Sequence, residues 1–216
     1  RHRPAACIIG EPSGTDGVTI GYRGSLRAVL AASDGGAHRS GNAGPITGVL
    51  RCAADILDLV DSLDDPALPV IRRPSGAVVS MEGRENGVRS GTAELDIRLP
   101  EGSSPEEWME FLRGSAANRG VSISFRGVTP PHVEDKNNPV ARALRLAIRK
   151  NGNTPRVLAK GGTADFNLAS AWNCPMAAYG PGDSRLDHTS EERISLADFH
   201  ASLEILDGAL PLILAG

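Results

Sequence analysis

Apolar and polar residues alternate at spacing two over the stretch from Val18 to Ala32, a pattern typical of an extended strand. The apolar spacing then becomes helical from Ile46 to Leu63, and Pro45 suits the first turn of a helix. The polar cluster Asp64-Asp65-Pro66 ends that helix. The sequence therefore predicts a strand followed by a helix in this part of the chain.

Two further strands, a helix and a last strand complete this succession. Ser75 to Arg84 and Gly91 to Leu99 flank the turn Glu85-Asn86-Gly87 and predict a hairpin. Ser104-Pro-Glu-Glu107 is a capping box that begins a helix, and Val121 to Phe125 alternates again. The order β-α-β-β-α-β is typical of a ferredoxin-like domain, which we predict over residues 17–129.

The remaining segments, residues 1–16 and 130–216, follow a different pattern. Helices alternate with short apolar runs there, as in α/β proteins with a parallel or mixed sheet. Two or three strands do not bury such continuous apolar runs unaided. The chain also begins at Arg1 rather than at a methionine and is soon in an apolar strand. We therefore expect an incomplete α/β layer, interrupted by the ferredoxin-like domain, whose N-terminal half is absent.

Polar loops follow three of the apolar runs in this layer. They carry Glu11, Asp165 and His188, respectively. Because α/β folds place their chemistry in loops at strand ends, we predict one shared site. Taken singly, Glu11 also fits a solvated carboxylate and His188 a hydrogen-bonded surface residue. Together they supply an oxygen and a nitrogen ligand for zinc, whereas catalytic zinc sites take about three protein ligands.

Other polar positions are ambiguous on their own. His38 lies in a glycine-rich turn, and Asn86 and Arg98 lie on turns or strands of the inserted domain, where solvated side chains are common. Gly161-Gly162-Thr163 is not followed by the Gly-Lys-Ser/Thr of a phosphate-binding loop.

Bulk composition narrows the classes of partner. The formal net charge of −3 gives no reason to expect nucleic acid or a membrane surface as a partner. No apolar run approaches the roughly 20 residues that span a bilayer. Cys7, Cys52 and Cys174 are widely spaced in apolar surroundings, which predicts reduced thiols and a cytoplasmic protein.

Several motifs together resemble the co-catalytic zinc family of acetylornithine deacetylase, succinyl-diaminopimelate desuccinylase and related aminoacylases and peptidases. Within it, the chain is most similar to the branch of hydrolases that release lysine or ornithine from an amino-group carrier protein, also known as N-acetyl-lysine deacetylases. The matching segments are Gly10-Glu-Pro-Ser13, Gly21-Tyr-Arg-Gly-Ser25, Gly36-Ala-His38, Leu95-Asp-Ile-Arg98, Gly161-Gly-Thr-Ala-Asp165 and Tyr179 to His188.

The resemblance implies a role for each matching residue. Glu11 corresponds to the acidic ligand of one zinc ion, and His188 to the C-terminal histidine ligand of the other. His38 corresponds to a histidine that stabilises the oxyanion in the partner subunit's site. The resemblance also implies that four residues contact the substrate: Asn86, Arg98, Gly162 and Thr163. The inserted domain would be a lid through which the protein forms a homodimer.

The same resemblance implies a zinc-peptidase-like fold and two zinc ions per complete site, which cobalt can replace. The substrate would be a small N-acyl amino acid or a carrier-protein-linked precursor in lysine or arginine biosynthesis. The family pattern also contains a His-x-Asp pair, a bridging aspartate and a Glu-Glu pair whose first member is the general base, and none of these is found in this chain. The alternatives are a catalytically inactive dimerisation or binding fragment, and a dipeptidase or desuccinylase of the same family.

Overall fold

The computed structural model describes residues 3–35 and 43–215. The chain divides into two compact units: one combines residues 1–22 with 132–216, and the other comprises residues 23–131.

The elements of the described residues, in chain order, are the following: β1 (Cys7–Ile9), β2 (Gly17–Tyr22), β3 (Gly24–Asp34), α1 (Gly44–Ser62), β4 (Ser75–Glu85), β5 (Arg89–Leu99), α2 (Pro105–Asn118), β6 (Ser122–Thr129), β7 (His132–Val133), α3 (Pro139–Lys150), β8 (Arg156–Lys160), α4 (Asp165–Ala169), β9 (Met176–Ala178) and α5 (Leu196–Leu214). Short 3₁₀ turns lie at Val70–Arg72 and Ser170–Trp172.

The first unit contains a five-stranded mixed sheet. Strand β1 is parallel to β9, and β2 is parallel to β8 and antiparallel to β7 and β9. Ala177 of β9 belongs to the core cluster that includes α3 and α5, whereas its neighbour Met176 belongs to a second cluster with Phe166 of α4. Because successive strand residues point to opposite faces, both faces of this sheet are covered.

The second unit contains an antiparallel sheet with the strand order β4-β5-β3-β6. Every second residue of β5 is buried, as expected for a strand with one covered face. The core on that face joins residues of the sheet such as Leu95 to residues of α1 and α2 such as Ile56 and Leu112. The succession is the predicted ferredoxin-like one, and the predicted α/β fold class is confirmed.

The structure differs from the sequence pattern around Arg23. The alternation from Val18 to Ala32 predicts one extended segment within the inserted domain, but the structure has two strands, and β2 pairs within the sheet of the first unit. All six residues of β2 are buried, whereas β3 alternates between buried and half-buried residues. Spacing two is common to both strands, so the pattern did not reveal that they join different sheets.

Within the described part of the chain, no helix has both the length and the apolar character that a membrane span requires.

Candidate functional site

The chain segments that follow β1 and β9 remain paired beyond the sheet. The amide of Tyr179 donates to the carbonyl of Ile9 (2.9 Å), and the amide of Ser13 donates to the carbonyl of Gly180 (2.9 Å). A Cβ added to Gly180 would lie 2.9 Å from the carbonyl oxygen of Glu11. Main-chain contacts therefore hold Glu11 against the loop that follows β9.

Glu11 lies among charged side chains from the other strand ends. Burial raises the pKa of its carboxyl group; Lys160 opposes this rise, the carboxylates of Asp187 and Asp165 add to it, and His188 opposes it. All four side chains are thus close enough for their charges to act on Glu11. Asp165 and His188 thus belong to the electrostatic neighbourhood of Glu11, in the segments that follow β8 and β9.

His188 ends a hydrogen-bonded turn. The amide of Leu186 donates to the carbonyl of Asp183 (2.9 Å), and the amide of Arg185 donates to the Asp183 carboxylate (3.0 Å). His188 has a left-handed backbone with φ of 62°, and its amide donates to Oε2 of Glu192 (3.0 Å). Such a conformation is uncommon for residues other than glycine, so these hydrogen bonds stabilise it.

Lys160 and Tyr22 also border this neighbourhood. Tyr22 lies in the matching segment Gly21-Tyr-Arg-Gly-Ser25, but the resemblance assigns a role to neither side chain. Nζ of Lys160 donates to the carbonyl of Pro12 and lies 5.9 Å from the centroid of the Tyr22 ring. Burial raises the pKa of the Tyr22 hydroxyl, and the charge of Glu11 raises it further. Tyr22 and Lys160 are register partners at the ends of β2 and β8. A prediction that β2 pairs with β8 would therefore have placed both residues beside the site.

The loop between β8 and α4 lies beside these residues. The amide of Ala164 donates to Oδ1 of Asn167 (3.1 Å), and Nδ2 of Asn167 donates to the carbonyl of Tyr22 (3.4 Å). A Cβ added to Gly162 would meet no atom within 4 Å. The loop that carries Gly162 and Thr163 is therefore anchored to β2 and has open space next to Gly162.

The donor types at this site fit a divalent cation. Glu11 offers carboxylate oxygens and His188 an imidazole nitrogen, both of which bind zinc. The carboxylates of Asp165 and Asp187 act on Glu11 with like charge, which a cation would offset. Across residues 3–35 and 43–215, no group of three or more His, Cys, Asp or Glu residues is arranged to hold a metal ion. The described residues thus supply suitable donors but fewer than the about three of a catalytic zinc site.

The other predicted site residues lie in the second unit. Asn86 is exposed in the turn between β4 and β5, where its main-chain amide donates to the carbonyl of Val88 (3.3 Å). Arg98 is on β5, and its Nη2 donates to Oδ2 of Asp96 (2.9 Å). His38 lies outside the described residues.

Solved structures of similar fold include two peptidases. The chain superposes on an M20 family metallo-carboxypeptidase, Sso-CP2, from Sulfolobus solfataricus with a TM-score of 0.79 and 17% identity, covering 99% of this chain and 64% of that one. It superposes on human carnosine dipeptidase 1 with a TM-score of 0.67 and 11% identity, covering 98% of this chain and 60% of that one. At these identities the likeness concerns the fold alone.

Curated relatives are more similar in sequence. The "[LysW]-lysine hydrolase" of Deinococcus radiodurans is 33% identical over 229 residues, covering 100% of this chain and 61% of the relative. The "Putative [LysW]-lysine/[LysW]-ornithine hydrolase" of Thermococcus kodakarensis is 36% identical over 206 residues, covering 94% of this chain and 54% of the relative. The chain thus spans little more than half the length of these relatives. Their names confirm the branch that the sequence motifs indicate.

The family comparison covers nearly the whole chain. Residues 1–211 match the profile described as "Peptidase family M20/M25/M40". From this match and from the relatives together, the chain belongs to the M20/M25/M40 peptidase family.

Proposed function

We propose that the protein is a metal-dependent amidohydrolase that releases lysine or ornithine from a carrier-protein-linked or N-acyl precursor in lysine or arginine biosynthesis. The observation that supports this proposal is the main-chain pairing of the segments after β1 and β9, together with the charges of Asp165, Asp187 and His188 that act on Glu11. The names of the curated relatives support the choice of substrate. The three free cysteines support a cytoplasmic location.

Glu11 and His188 are the residues that we propose as metal ligands, one for each of two zinc ions, with cobalt as a substitute. Bound zinc would supply a Lewis acid that polarises the scissile carbonyl and lowers the pKa of a water molecule. The chain itself holds Glu11 in place through the main-chain pairing of the segments after β1 and β9. It holds His188 through the turn that Glu192 closes.

Five further residues complete the proposed machinery in contact with the substrate. We assign His38 to donating a hydrogen bond to the developing oxyanion, across the dimer. Arg98 would bind the substrate carboxylate, since a guanidinium pairs with a carboxylate through two parallel hydrogen bonds. Asn86 would contact the substrate, and the loop carrying Gly162 and Thr163 would line the pocket.

The second unit would form the homodimer. Strand β4 is an edge of its sheet, and Val78, Val79 and Met81 on this strand are exposed to 40–50%. An open edge with exposed apolar side chains is suited to pairing with another chain. This feature supports dimerisation through the inserted domain.

Hydrolysis of defined substrates tests the proposal. We would assay the full-length protein, with zinc or cobalt, on carrier-linked lysine, N-acetyl-lysine, N-acetyl-ornithine, an N-succinyl amine and a dipeptide. Metal-dependent release of lysine or ornithine is expected. His188→Ala should remove this turnover, and the matched control His200→Ala should retain it, because His200 is an exposed histidine on α5.

Three results would contradict the proposal. Full activity of His188→Ala would remove His188 from the site. Preferred cleavage of the dipeptide or the succinyl substrate would assign the protein to another activity of the family. A folded protein that binds no stoichiometric metal and turns over no substrate would support a non-catalytic binding module instead.

A further inference from the structure

The Tyr22 side chain is enclosed by the core of the first unit. Tyr22 is only 3% exposed, and its ring packs against that of Phe166 in α4, with ring centroids 5.4 Å apart. Met176 and Ala178 of β9 belong to the same buried cluster. Because these contacts hold the ring, they also fix the position of its hydroxyl group.

The hydroxyl group of Tyr22 is buried without a hydrogen bond. No described residue offers it a partner in hydrogen-bond geometry. Burial raises its pKa and Thr19 opposes this rise, so Thr19 lies near, but the Thr19 hydroxyl is hydrogen-bonded to that of Ser13 (3.0 Å). A buried tyrosine hydroxyl usually has a partner, and a buried polar group without one lowers the stability of the fold. Stability of the fold therefore does not explain why this position carries a hydroxyl group.

The groups around the hydroxyl include acceptors of negative charge. Besides burial, the carboxylates of Glu11 and Asp187 raise the pKa of the Tyr22 hydroxyl, and Glu11 has the larger effect of the two. Lys160 lies on the same side, because its Nζ is 5.9 Å from the centroid of the Tyr22 ring and donates to the carbonyl of Pro12. Lys160 thus holds the main chain next to Glu11 beside this ring.

A carboxylate that binds a metal ion needs a fixed orientation. The Glu11 side chain has several rotatable bonds, and a hydrogen bond from a fixed donor selects one of its orientations. A carboxylate has two oxygens, so it can bind a cation and accept a hydrogen bond at the same time. A tyrosine hydroxyl whose ring is held by the core is a donor of this kind.

We propose that Tyr22 is a positioning residue, whose buried hydroxyl donates a hydrogen bond to the Glu11 carboxylate when Glu11 binds a divalent cation. This inference rests on the metal-ligand role of Glu11 in the proposed function. It gives the hydroxyl the acceptor that the described residues do not provide, and it needs no contact between Tyr22 and the cation.

Removal of a single oxygen atom separates this role from a role in the fold. We would free the full-length wild type and Tyr22→Phe of metal by chelation, then measure urea unfolding and the affinity for cobalt by calorimetry. The urea midpoint of metal-free Tyr22→Phe should stay equal or rise, because phenylalanine fills the same space without an unpaired polar group. Its affinity for cobalt should fall by about tenfold, the lower end of what the loss of a residue orienting a metal ligand costs.

Tyr179→Phe is the matched control. Tyr179 is 1% exposed in the same unit, but its hydroxyl donates to the carbonyl of Thr15 (3.1 Å). Its removal leaves that carbonyl without this bond, so the urea midpoint should fall by about 0.5 M. The affinity for cobalt should equal that of the wild type, because Tyr179 belongs to the other core cluster of the unit, with α3 and α5.

The outcomes distinguish this inference from the proposed function. If Glu11→Ala loses the affinity for cobalt and Tyr22→Phe keeps it, the positioning role is wrong and the proposed function stands. A fall in the urea midpoint of Tyr22→Phe as large as that of Tyr179→Phe would also overturn the positioning role, because the hydroxyl would then be bonded within the fold. If Glu11→Ala keeps the affinity, the ligand role of Glu11 and the positioning role both fall. The expected loss of affinity in Tyr22→Phe, with no release of lysine or ornithine by the wild type, would contradict the proposed function alone.

Discussion

Gly180→Ala perturbs a close contact between the two loops that hold Glu11. The new Cβ would lie 2.9 Å from the carbonyl oxygen of Glu11, whereas ordinary van der Waals contact begins at 3.4 Å. The backbone around Glu11 must therefore retreat by about 0.5 Å, and the 2.9 Å hydrogen bond from Ser13 to Gly180 lies in the same segment. Overpacking of this kind costs about 1–3 kcal/mol of the free energy of unfolding.

Urea unfolding of Gly180→Ala measures this loss, and Gly10→Ala is the matched control. Gly10 lies next to Glu11 in the sequence, but an added Cβ there would meet no atom within 4 Å. Its free energy of unfolding should stay equal or rise by up to about 1 kcal/mol, since alanine restricts the unfolded chain. We also expect Gly180→Ala to lower kcat/KM, because the displaced backbone is that of a proposed metal ligand.

Equal unfolding free energies for Gly180→Ala and Gly10→Ala would refute this reasoning. The two loops would then not be in close contact, and Glu11 would have to be positioned by other means. A loss of stability without a loss of activity would leave the contact in place and remove its link to the site.

Three further predictions concern pH, helix capping and assembly. Arg156 donates to the Asp16 carboxylate and lowers its pKa below 3.8, so the pair stabilises the fold above that pH, and this contribution is lost as the pH falls through the folded-state pKa. The difference in unfolding free energy between wild type and Asp16→Asn, measured with urea, should therefore shrink between pH 7 and pH 3. A constant difference would contradict this prediction. Asn138 caps α3 at two amides and also donates to a buried carbonyl, so Asn138→Ala should lower the free energy of unfolding by about 2 kcal/mol. The exposed cap Ser195 makes one such bond, and Ser195→Ala should cost about 0.5–1 kcal/mol. Equal losses would contradict this order. Val79→Lys should convert the proposed dimer to a monomer in light scattering, with Val79→Ala remaining dimeric, because a lysine blocks an open strand edge.

Local signals in the sequence were sufficient for most elements. The side chain of Ser104 caps α2, that of Asn138 caps α3, and the alternation along β5 matches its buried face. These features depend on residues close together in the chain, which is why a single sequence reveals them. The loops at the ends of β1, β8 and β9 could be located for the same reason.

Contacts between distant residues were decided only by the tertiary structure. Tyr22 is placed beside Lys160 by the register of β2 and β8, and Asp96 is placed between Arg27 and Arg98 by the pairing of β3 and β5. For β3 and β5 the sequence indicated which face is buried, and it indicated which loops carry the polar residues. Which strand joins which sheet, and hence which charges meet, depended on packing between segments far apart in the chain, because periodicity specifies a buried face but not the partner that covers it.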